Sequence, residues 1–453
     1  MSPLHLAKTC ELHVHPGGCL TAEDLIELGK DLYEDIDWTL FTDAYEEAYG
    51  IRPDPIALYR DAISNPTVGL AKFKEHYIYT EKDGGDFGRF KAKFNLIISL
   101  LRHPPERQEL LIKAFFKAHE RHRKEGITFI EYRCSGDRET RETFINFHRT
   151  SAQILSNASQ NNTTARYIVT LRRQTAQQDY EWVQELLDEN PELIPTIVGI
   201  DFADIEEGYP PKDNRALFQH VHIDNQQRPE RALEITYHVG ESYFDKSLES
   251  AIRWCHEAAE MGARRLGHAT ALGLDPAVAI ARRPDAHTKE RVSERLDQIA
   301  YDLTHASELL AFDIEVNASA LQTERQTLKN RTPEEIVERP YNPQRLEEIR
   351  NRQQFVLNHL TKLGTVIETC PTSNLRIGGV PDPAHHPIHT FLKSNVNLVI
   401  GADDPGIFNS PLASEIDWAL THTNWTPEAL DKRLGDPRRF QLGSLRHHHR
   451  SDS

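Results

Sequence analysis

The sequence lacks paired cysteines, long apolar runs and an excess of basic residues. Its five scattered cysteines are Cys10, Cys19, Cys134, Cys255 and Cys370. Because none stands in a CxxC pair, a zinc ribbon and the PCxxC type of catalytic zinc site are excluded. No apolar stretch approaches the ~20 residues of a membrane span, and no apolar signal region is visible near the start. The odd cysteine count favours a reducing compartment, so we expect a cytoplasmic protein.

The charge balance narrows the choice of partners. The 453 residues carry 53 Lys and Arg against 69 Asp and Glu, a net charge of −16. This balance argues against general nucleic-acid binding, which depends on clustered basic residues. Hydrophobic residues make up 38% of the chain, which is enough for a sizeable core. The length suits one large domain or two to three ordinary ones.

Short β-type runs alternate with longer helical patterns along the whole chain. The eight candidate strands cover residues 7–15, 127–134, 165–171, 196–202, 233–239, 264–268, 365–370 and 396–403. Such alternation is typical of parallel βα units. Eight units favour an α/β fold of the (β/α)8 TIM barrel type over an open doubly wound sheet.

Polar residues at the ends of five candidate strands support the barrel. They are His13 and His15, Asp201, His238, His268, and Asp403 with Asp404. A barrel gathers the carboxyl ends of its strands around one mouth, where its active sites lie. An open sheet would spread the same residues along an edge.

The chain is about 200 residues longer than a typical barrel of about 250. We expect a single domain over residues 1–435, with large helical insertions after strands 1 and 6 at about 38–85 and 277–352. Each insertion forms a lid, a pocket wall or an oligomer contact, or only decorates the surface. Residues 436–453 form a polar C-terminal tail that is either disordered or packed as an extension.

The first strand ends in His13-Val14-His15. Residues i and i+2 of a strand share a face, so these two imidazoles can hold one metal ion. Taken alone, a histidine bound to a backbone carbonyl or an aspartate capping a helix explains each polar residue at a strand end. Their joint occurrence around one predicted mouth favours a single site.

These residues fall within eight short motifs. In chain order the motifs are ELHVHPGG (11–18), FKAKFN (90–95), GITFIEYR (126–133), VGID (198–201), HVGE (238–241), RLGH (265–268), CPTSN (370–374) and GADDPGIF (401–408). In this order they resemble the adenosine deaminase family of zinc hydrolases, and they span nearly the whole chain apart from the insertions. The resemblance implies a (β/α)8 barrel that hydrolyses the 6-amino group of a purine.

The resemblance also implies a role for each matching residue. One zinc ion per chain is held by His13, His15, His238 and Asp403. Glu241 matches the acid that protonates purine N1, and His268 matches the residue that orients and deprotonates the attacking water. Asp404 matches the carboxylate that holds this water and the N7 side of the purine, and the backbone of Gly199 matches the group that contacts N3.

The proposed chemistry requires these residue types. Zinc lowers the pKa of water to about 7, and three neutral imidazoles with one carboxylate leave net positive charge on the metal. Protonating N1 while oxygen adds to C6 avoids an anionic ring, which is general acid catalysis worth about 10²–10⁴-fold. Glu241 must be protonated for this step, so we expect a raised pKa. The fourth strand has no lysine for a second bridged metal, so we expect one ion.

One position departs from the family pattern. Adenosine-type members have HxHLDG, whose Asp recognises the 5′-hydroxyl of the ribose, whereas this chain has Pro16-Gly17-Gly18 after His15. Losing the carboxylate relieves repulsion of a 5′-phosphate, and two glycines let backbone amides approach an anion. We therefore expect AMP, dAMP, ATP or dATP as the substrate, bound near His15, Gly17 and Gly18.

Other substrates and another class of function remain open. Four arginines are candidate phosphate contacts, with structural salt bridges as the alternative for each: Arg133, Arg172, Arg173 and Arg376. Members with a glycine at this position and enlarged insertions resemble enzymes of antiviral nucleotide depletion. The alternative substrates are adenosine or deoxyadenosine, free adenine and N6-substituted AMP. A non-catalytic barrel scaffold is the alternative of another class, and a homo-oligomer formed through the insertions is a further expectation.

Overall fold

The computed structural model describes residues 4–102, 107–136, 140–159, 163–242, 244–282 and 288–448. The strands in these residues are β1 (Cys10–Val14), β2 (Phe129–Cys134), β3 (Thr164–Thr170), β4 (Ile197–Asp201), β5 (Glu234–Val239), β6 (Ala263–His268), β7 (Lys289–Arg291), β8 (Ile336–Glu338), β9 (Val366–Thr369) and β10 (Asn397–Ile400). The core strands β4 and β5 are buried along their whole length. Burial on both faces explains their nearly continuous apolar character.

Eight parallel strands form the predicted barrel. Their order is β1-β2-β3-β4-β5-β6-β9-β10. The ring closes between β10 and β1, where the Asp403 amide donates to the His13 carbonyl and the His15 amide donates to the Asp403 carbonyl, both at 2.9 Å. The (β/α)8 fold is therefore confirmed, and each barrel strand overlaps one of the eight predicted ranges. The short strands β7 and β8 form a separate antiparallel ribbon.

Helices surround the barrel and fill two long connections. Between β1 and β2 lie α1 (Ala22–Gly29), α2 (Thr39–Tyr49), α3 (Pro55–Ser64), α4 (Val68–Tyr77), α5 (Phe87–Leu101) and α6 (Arg107–Lys124). The next helices are α7 (Arg141–Ala158), α8 (Ala176–Glu189), α9 (Arg215–Gln227) and α10 (Leu248–Met261).

Between β6 and β9 lie α11 (Pro276–Arg282), α12 (Val292–Thr304), α13 (Ala306–Leu310), α14 (Ala318–Leu328) and α15 (Pro343–Leu363). The chain continues with α16 (Pro371–Arg376), α17 (Ile388–Lys393), α18 (Leu412–His422), α19 (Pro427–Leu434) and α20 (Leu445–His448). Of the helices in the described ranges, none has the length and apolar character needed to cross a bilayer.

The β1–β2 connection packs over the mouth of the barrel through an apolar cluster of its own. Tyr59, Phe73 and Phe90 belong to this cluster, together with Ile407 and Phe408 from the segment after β10. The rings of Phe90 and Phe408 stack with centroids 5.4 Å apart. This connection is therefore fixed to the same end of the barrel at which the polar strand ends converge.

The β6–β9 connection lies on the flank of the barrel and attaches through buried ion pairs. Arg345 of α15 binds Glu249 of α10 at 2.7 Å, and Arg253 of α10 binds Glu294 of α12 at 2.5 Å. Its own apolar cluster is small, comprising buried Val292, Ile299 and Leu328 with a few half-buried neighbours. These charge pairs therefore add to the apolar contacts that α15 makes with the main core through Phe355 and Leu360.

The C-terminal segment closes the end of the barrel opposite the mouth. Leu442 packs against Ile168 and Val198, and its amide donates to Glu131 at 2.7 Å. The Ser444 amide donates to Glu234, the first residue of β5, at 2.9 Å. Of the two alternatives for the tail, the structure shows a packed extension through residue 446, while residues 449–453 lie outside the described ranges.

Candidate active site

The carboxyl ends of β1, β5, β6 and β10 bring imidazoles and carboxylates together at the mouth. His13 lies in β1 and His15 follows it, and strand alternation turns both side chains to one face. His238 lies in β5, His268 ends β6, and Asp403 follows β10. Four of these five are buried, and His15 is the half-buried exception.

The predicted metal ligands lie close enough to share one ion. Asp403 Oδ1 is 3.3 Å from His15 Nε2 and 3.5 Å from His13 Nε2. The His238 ring centroid is 4.8 Å from that of His13 and 5.5 Å from that of His15. The Nε2 atoms of His13 and His238 are buried and have no hydrogen-bond partner within the described ranges. Three imidazoles and a carboxylate form a donor set that zinc favours, and these unpartnered nitrogens fit its ligation.

Two carboxylates lie next to the Nδ1 atoms of His13 and His238, on the side of each ring that faces away from the cluster. Glu368 of β9 lies 2.9 Å from His13 Nδ1, and Asp201 of β4 lies 3.0 Å from His238 Nδ1. When each Nδ1–H donates to its carboxylate, the Nε2 lone pair faces the cluster, as behind metal-bound histidines. Burial lowers the pKa of His238 to about 4, which keeps this ring in the neutral form that a metal requires.

A buried ion network keeps Glu368 charged. Arg133 donates to both carboxylate oxygens of Glu368 at 2.9 Å, and Arg265 Nε lies 2.7 Å from Oε1. Although burial opposes ionisation, Arg133 and Arg265 hold the pKa of Glu368 well below its usual range. The ionised carboxylate can therefore accept the His13 proton and fix that ring.

Glu241, His268 and Asp404 lie beside the histidine cluster. His268 Nε2 is 3.5 Å from Glu241 Oε2 and 4.0 Å from Asp403 Oδ2. The Asn374 side-chain amide lies 3.0 Å from His268 Nδ1 and fixes the plane of the ring. Asp404 Oδ1 is buried without a hydrogen-bond partner in the described ranges, so it is available to a ligand.

Burial shifts the pKa values of these three groups in directions that suit proton transfer. Burial, with the nearby charge of Asp403, raises the pKa of Glu241 well above its usual range. The same two causes raise the pKa of Asp404. Burial lowers the pKa of His268 well below its usual range. These directions favour a protonated carboxyl group at Glu241 and a neutral imidazole at His268.

Two of the site residues have strained backbone conformations. His268 has φ 64° and Asp403 has φ 60°, both in the left-handed region. Such conformations cost non-glycine residues about 1–3 kcal/mol and cluster at functional sites. At both positions the chain leaves its strand in a sharp turn, and the side chain stays within the cluster.

Glu206 positions the loop that carries Glu241. One of its carboxylate oxygens accepts the Gly240 amide at 3.0 Å, and the other accepts the amides of Glu241 and Ser242 at 3.2 Å. Lys246 Nζ lies 3.9 Å from the same carboxylate. Sequence reasoning missed Glu206, Glu368 and Asn374. Only Asn374 lay in a quoted motif.

A cavity of about 460 Å³ opens above the cluster, within the usual size range of small-molecule sites. The β1–β2 connection supplies Leu40, Phe87, Phe90, Lys91, Phe94, Asn95, Ile98 and Arg102 to its lining. No described residue between 276 and 352 contributes to this lining. The β1–β2 connection is therefore a wall of this cavity, mainly through residues 87–102, which lie beyond the insertion predicted at 38–85.

The two glycines after His15 have different surroundings. A Cβ on Gly18 would lie 1.7 Å from Asp404 Oδ1, so the glycine makes room for that carboxylate. A Cβ on Gly17 would lie 3.5 Å from Phe94 and 3.7 Å from Ile97, at ordinary contact distance. Gly17 borders a mainly apolar side chamber of about 150 Å³, whose lining also includes Arg102 and Arg133.

The expectation for Gly199 requires correction. This residue lies within β4, where a Cβ would meet Leu442 at 2.5 Å and the Glu234 carbonyl at 2.6 Å. These neighbours belong to the closed end of the barrel, so Gly199 is absent from the lining of the mouth cavity. Ala203 and Asp204, which follow β4, line the cavity in its place.

The four candidate arginines have intramolecular acceptors. Arg133 binds Glu368, Arg172 binds Asp179, Arg173 donates to the carbonyls of Phe202 and His238, and Arg376 donates to those of Tyr79 and Phe408. Structural salt bridges therefore account for Arg133 and Arg172, whereas Arg173 and Arg376 donate to backbone carbonyls. The cationic side chains that line the cavity are those of Lys91 and Arg102, and Lys91 also lies 3.1 Å from Asp204.

Comparison by sequence identifies a single family. The sequence model of adenosine deaminase matches residues 50–298 and 348–434. Adenine deaminase of Rhizobium leguminosarum is 36% identical over 76 residues, which are 17% of this chain and 24% of that protein. Aminodeoxyfutalosine deaminase of Acidothermus cellulolyticus is 29% identical over 136 residues, covering 29% and 35% of the two chains. The matched segments thus span about a quarter to a third of these relatives.

Solved structures share the fold over almost the whole chain. A zinc-bound amidohydrolase from Burkholderia ambifaria has a TM-score of 0.58 at 12% identity, covering 99% of this chain and 90% of that one. Arabidopsis ADAL in complex with IMP has a TM-score of 0.55 at 14% identity, covering 98% and 95%. At this level of identity the likeness supports the barrel fold.

Proposed function

Because this chain belongs to the adenosine deaminase family, we propose that it hydrolyses the 6-amino group of an adenine nucleotide to the inosine form. The family consists of hydrolases that act on C–N bonds. The observation that carries the proposal is the meeting of Glu241 and His268 with a three-histidine, one-aspartate cluster beneath a cavity. All four candidate metal ligands and the candidate acid Glu241 are present, which disfavours the non-catalytic scaffold.

The proposed cofactor is one zinc ion, held by His13, His15, His238 and Asp403. Its contribution when bound is to lower the pKa of water to about 7. The buried, unpartnered nitrogens of His13 and His238 support this assignment. So does the bound zinc of the Burkholderia amidohydrolase, which has the same fold.

The remaining residues act on the proton and on the substrate. Glu241, kept protonated by burial, donates its proton to purine N1 as the oxygen of water adds to C6. His268, whose plane is fixed by Asn374, orients the water and takes up its proton. Asp404, which has an unpartnered oxygen, faces the water and the N7 side. The amino group then takes up the proton held by His268 and leaves C6 as ammonia, the hydroxyl proton returns to Glu241, and the product is a 6-oxopurine.

For the finer assignment we favour a substrate with a 5′-phosphate. The absence of a carboxylate at Gly17 removes a source of repulsion, as the sequence predicts. Lys91 and Arg102 at the cavity, rather than the four predicted arginines, supply the positive charge. The Arabidopsis structures with IMP and GMP are of proteins with the same fold, and they bind nucleoside monophosphates. A role in antiviral nucleotide depletion stays a prediction.

The second candidate is an unphosphorylated substrate, adenosine, deoxyadenosine or free adenine. The apolar side chains of Phe94 and Ile97 beside Gly17 favour it, because a phosphate gains nothing from such neighbours. The matches to adenine deaminases point in the same direction. N6-substituted AMP is a third candidate, since a solved N6-methyl-AMP deaminase shares the fold.

A substrate panel with two variants separates these candidates. Zinc-loaded protein is assayed with adenine, adenosine, AMP, dAMP, ATP, dATP and N6-methyl-AMP, following ammonia and 6-oxopurine together. Gly17→Asp adds a carboxylate and Gly17→Asn adds a neutral side chain of equal size. We expect Gly17→Asp to raise KM at least tenfold for the phosphorylated substrates, with Gly17→Asn much milder. Equal effects of both variants on AMP and adenosine would contradict a phosphate near Gly17.

A further inference from the structure

A second group of metal-ligating side chains lies on the flank of the barrel, outside the mouth. His256 and Glu260 stand one turn apart on α10, and His305 lies at the junction of α12 and α13 in the β6–β9 connection. One ligand atom from each of the three residues lies within 4.8 Å of the other two. None of the three lines the mouth cavity. The group therefore joins a barrel helix to the second connection.

The donor atoms are spaced slightly wider than a metal site requires. His256 Nε2 lies 3.7 Å from Glu260 Oε1, and His305 Nε2 lies 4.0 Å from Glu260 Oε2. A tetrahedral zinc site with bonds of about 2.0–2.1 Å separates its donors by about 3.3 Å. The Glu260 side chain is 40% exposed, so a small rotation of this carboxylate closes the difference.

The Nδ1 atom of each imidazole has an oxygen partner within hydrogen-bond distance, as at the mouth. Tyr301 Oη lies 2.6 Å from His256 Nδ1, and Glu308 Oε2 lies 2.7 Å from His305 Nδ1. When each Nδ1–H donates to its oxygen, both Nε2 lone pairs face Glu260. Outer oxygens that orient histidines in this way are the usual support of metal ligands.

An unpartnered buried nitrogen of His256 is a second, independent observation that points to a bound metal ion. Its side chain is 0% exposed, and its Nε2 has no hydrogen-bond partner within the described ranges. Leaving a buried polar atom unpaired costs free energy, so such an atom calls for a specific explanation.

We propose that His256, Glu260 and His305 bind a second divalent metal ion of the zinc class, which ties α10 to the β6–β9 connection. Two imidazoles and one carboxylate suit zinc, cobalt or nickel rather than magnesium or calcium. The fourth position is open to water or to His359, whose ring centroid lies 5.0 Å from that of His256. The role is structural, because the site lies away from the mouth cavity.

The test counts metal ions in the full-length chain. Protein stripped with a chelator is reloaded with Zn²⁺, or with Co²⁺ as a spectroscopic probe, and metal per chain is measured by mass spectrometry. We expect two ions in the wild type and one in His305→Gln and in Glu260→Gln. Both positions are partly exposed, so these variants should fold, which circular dichroism checks. Glu308→Gln should weaken the second ion by about 10–100-fold.

A matched control is available in the same chain. His385 lies 2.9 Å from Asp382 in the same i, i+3 arrangement as His305 and Glu308, but on the surface. His385→Gln should therefore retain two ions. Two ions that persist in His305→Gln and Glu260→Gln would overturn the proposal.

The mouth variant Asp403→Asn separates this proposal from the proposed function. A single ion that Asp403→Asn keeps and His305→Gln loses would support the flank site and remove the mouth zinc. A single ion that Asp403→Asn abolishes would overturn the flank site instead. In the expected case, Asp403→Asn and His305→Gln each lose one ion, and the double variant loses both.

Discussion

The β1–β2 and β6–β9 connections are both long and helical, but they attach to different parts of the barrel. The first is fixed by aromatic and aliphatic side chains, including Tyr59 and Phe73, over the mouth. The second is fixed on the flank, where apolar residues of α15 such as Phe355 join the main core and buried pairs such as Arg345–Glu249 and Arg253–Glu294 are added. The first contributes eight residues to the cavity lining, whereas the second contributes none among the described residues.

This difference separates the control of chemistry from the control of stability. An apolar layer over the mouth can also line a binding site, because its aromatic side chains can pack against a purine ring. A buried ion pair has no such second use, and breaking it leaves an uncompensated charge in the interior. We therefore expect variants of the mouth to change turnover and variants of the flank to change the free energy of unfolding.

The largest expected effect is the loss of turnover in Glu241→Gln. Gln cannot donate the proton to N1, so kcat should fall by at least about 10²–10⁴-fold. The melting temperature and the zinc content should stay near those of the wild type. Glu338→Gln makes the same change on exposed β8 of the flank, and it should keep full activity. Near-normal turnover in Glu241→Gln would contradict the assigned mechanism.

The second effect is a loss of stability in Glu249→Gln on the flank. Glu249 binds Arg345 at 2.7 and 3.0 Å, and both residues are buried. Removing one partner of a buried pair costs about 3–5 kcal/mol. Urea unfolding should show this loss at neutral pH, while kcat of the folded fraction stays unchanged. An equally large loss of kcat would remove the distinction between flank and mouth.

The same variant has a defined pH dependence. Although burial opposes ionisation, Arg345 lowers the pKa of Glu249 to about 2, against about 4.3 for an unfolded glutamate. A lowered pKa stabilises the folded state above about pH 4.3 and loses this contribution as the pH falls towards 2. The difference in unfolding free energy between wild type and Glu249→Gln should therefore shrink over this range. A constant difference would indicate that the carboxylate charge is not its origin.

The third effect is on metal affinity at the mouth, in Asp201→Asn. The aspartate fixes His238 through Nδ1, and removing such a partner weakens metal binding by about 10–100-fold. Competition with a zinc chelator measures the change. Asp204→Asn alters a half-exposed carboxylate at the same cavity and should leave zinc affinity unchanged. Equal zinc affinities in Asp201→Asn and the wild type would indicate that His238 is positioned by other contacts.

The smallest effect is expected from Lys91→Met, which tests charge in a largely apolar wall. The Lys91–Asp204 pair is exposed, so its loss should change the unfolding free energy by less than about 1 kcal/mol. KM for AMP should rise a few-fold, more at low salt than at high salt, while KM for adenosine stays constant. An equal rise for adenosine would indicate that Lys91 acts by shape and not by charge.

The barrel and the mouth residues could be predicted because their signals are local. Each strand is a short apolar run, and its last polar residue, such as His238 or His268, lies where the chain leaves the barrel. The supporting residues could not be predicted in this way. Glu368 contacts His13 across strands that are far apart in sequence, and Glu206 acts through backbone amides of another loop. Nothing local marks such partners.

One misplaced residue and one open choice both depend on tertiary structure. The VGID motif placed Gly199 near the substrate, yet the mouth is reached only at residues 203 and 204, because Gly199 lies midway along the strand. The choice between two insertions was open, because both leave from the same face of the barrel. Which one turns inward depends on the apolar contacts of Phe90 with Phe408, which sequence spacing does not reveal.

The packed segment around residues 442–446 has a consequence for any truncated form of the protein. It supplies amide donors to the carboxylates of Glu131 and Glu234, which lie at the closed end of the barrel. A chain cut before residue 442 loses these donors and uncovers Ile168 and Val198, against which Leu442 packs. Because a buried acceptor left unpaired costs about 1–3 kcal/mol, the cut should destabilise the barrel while the mouth keeps its residues.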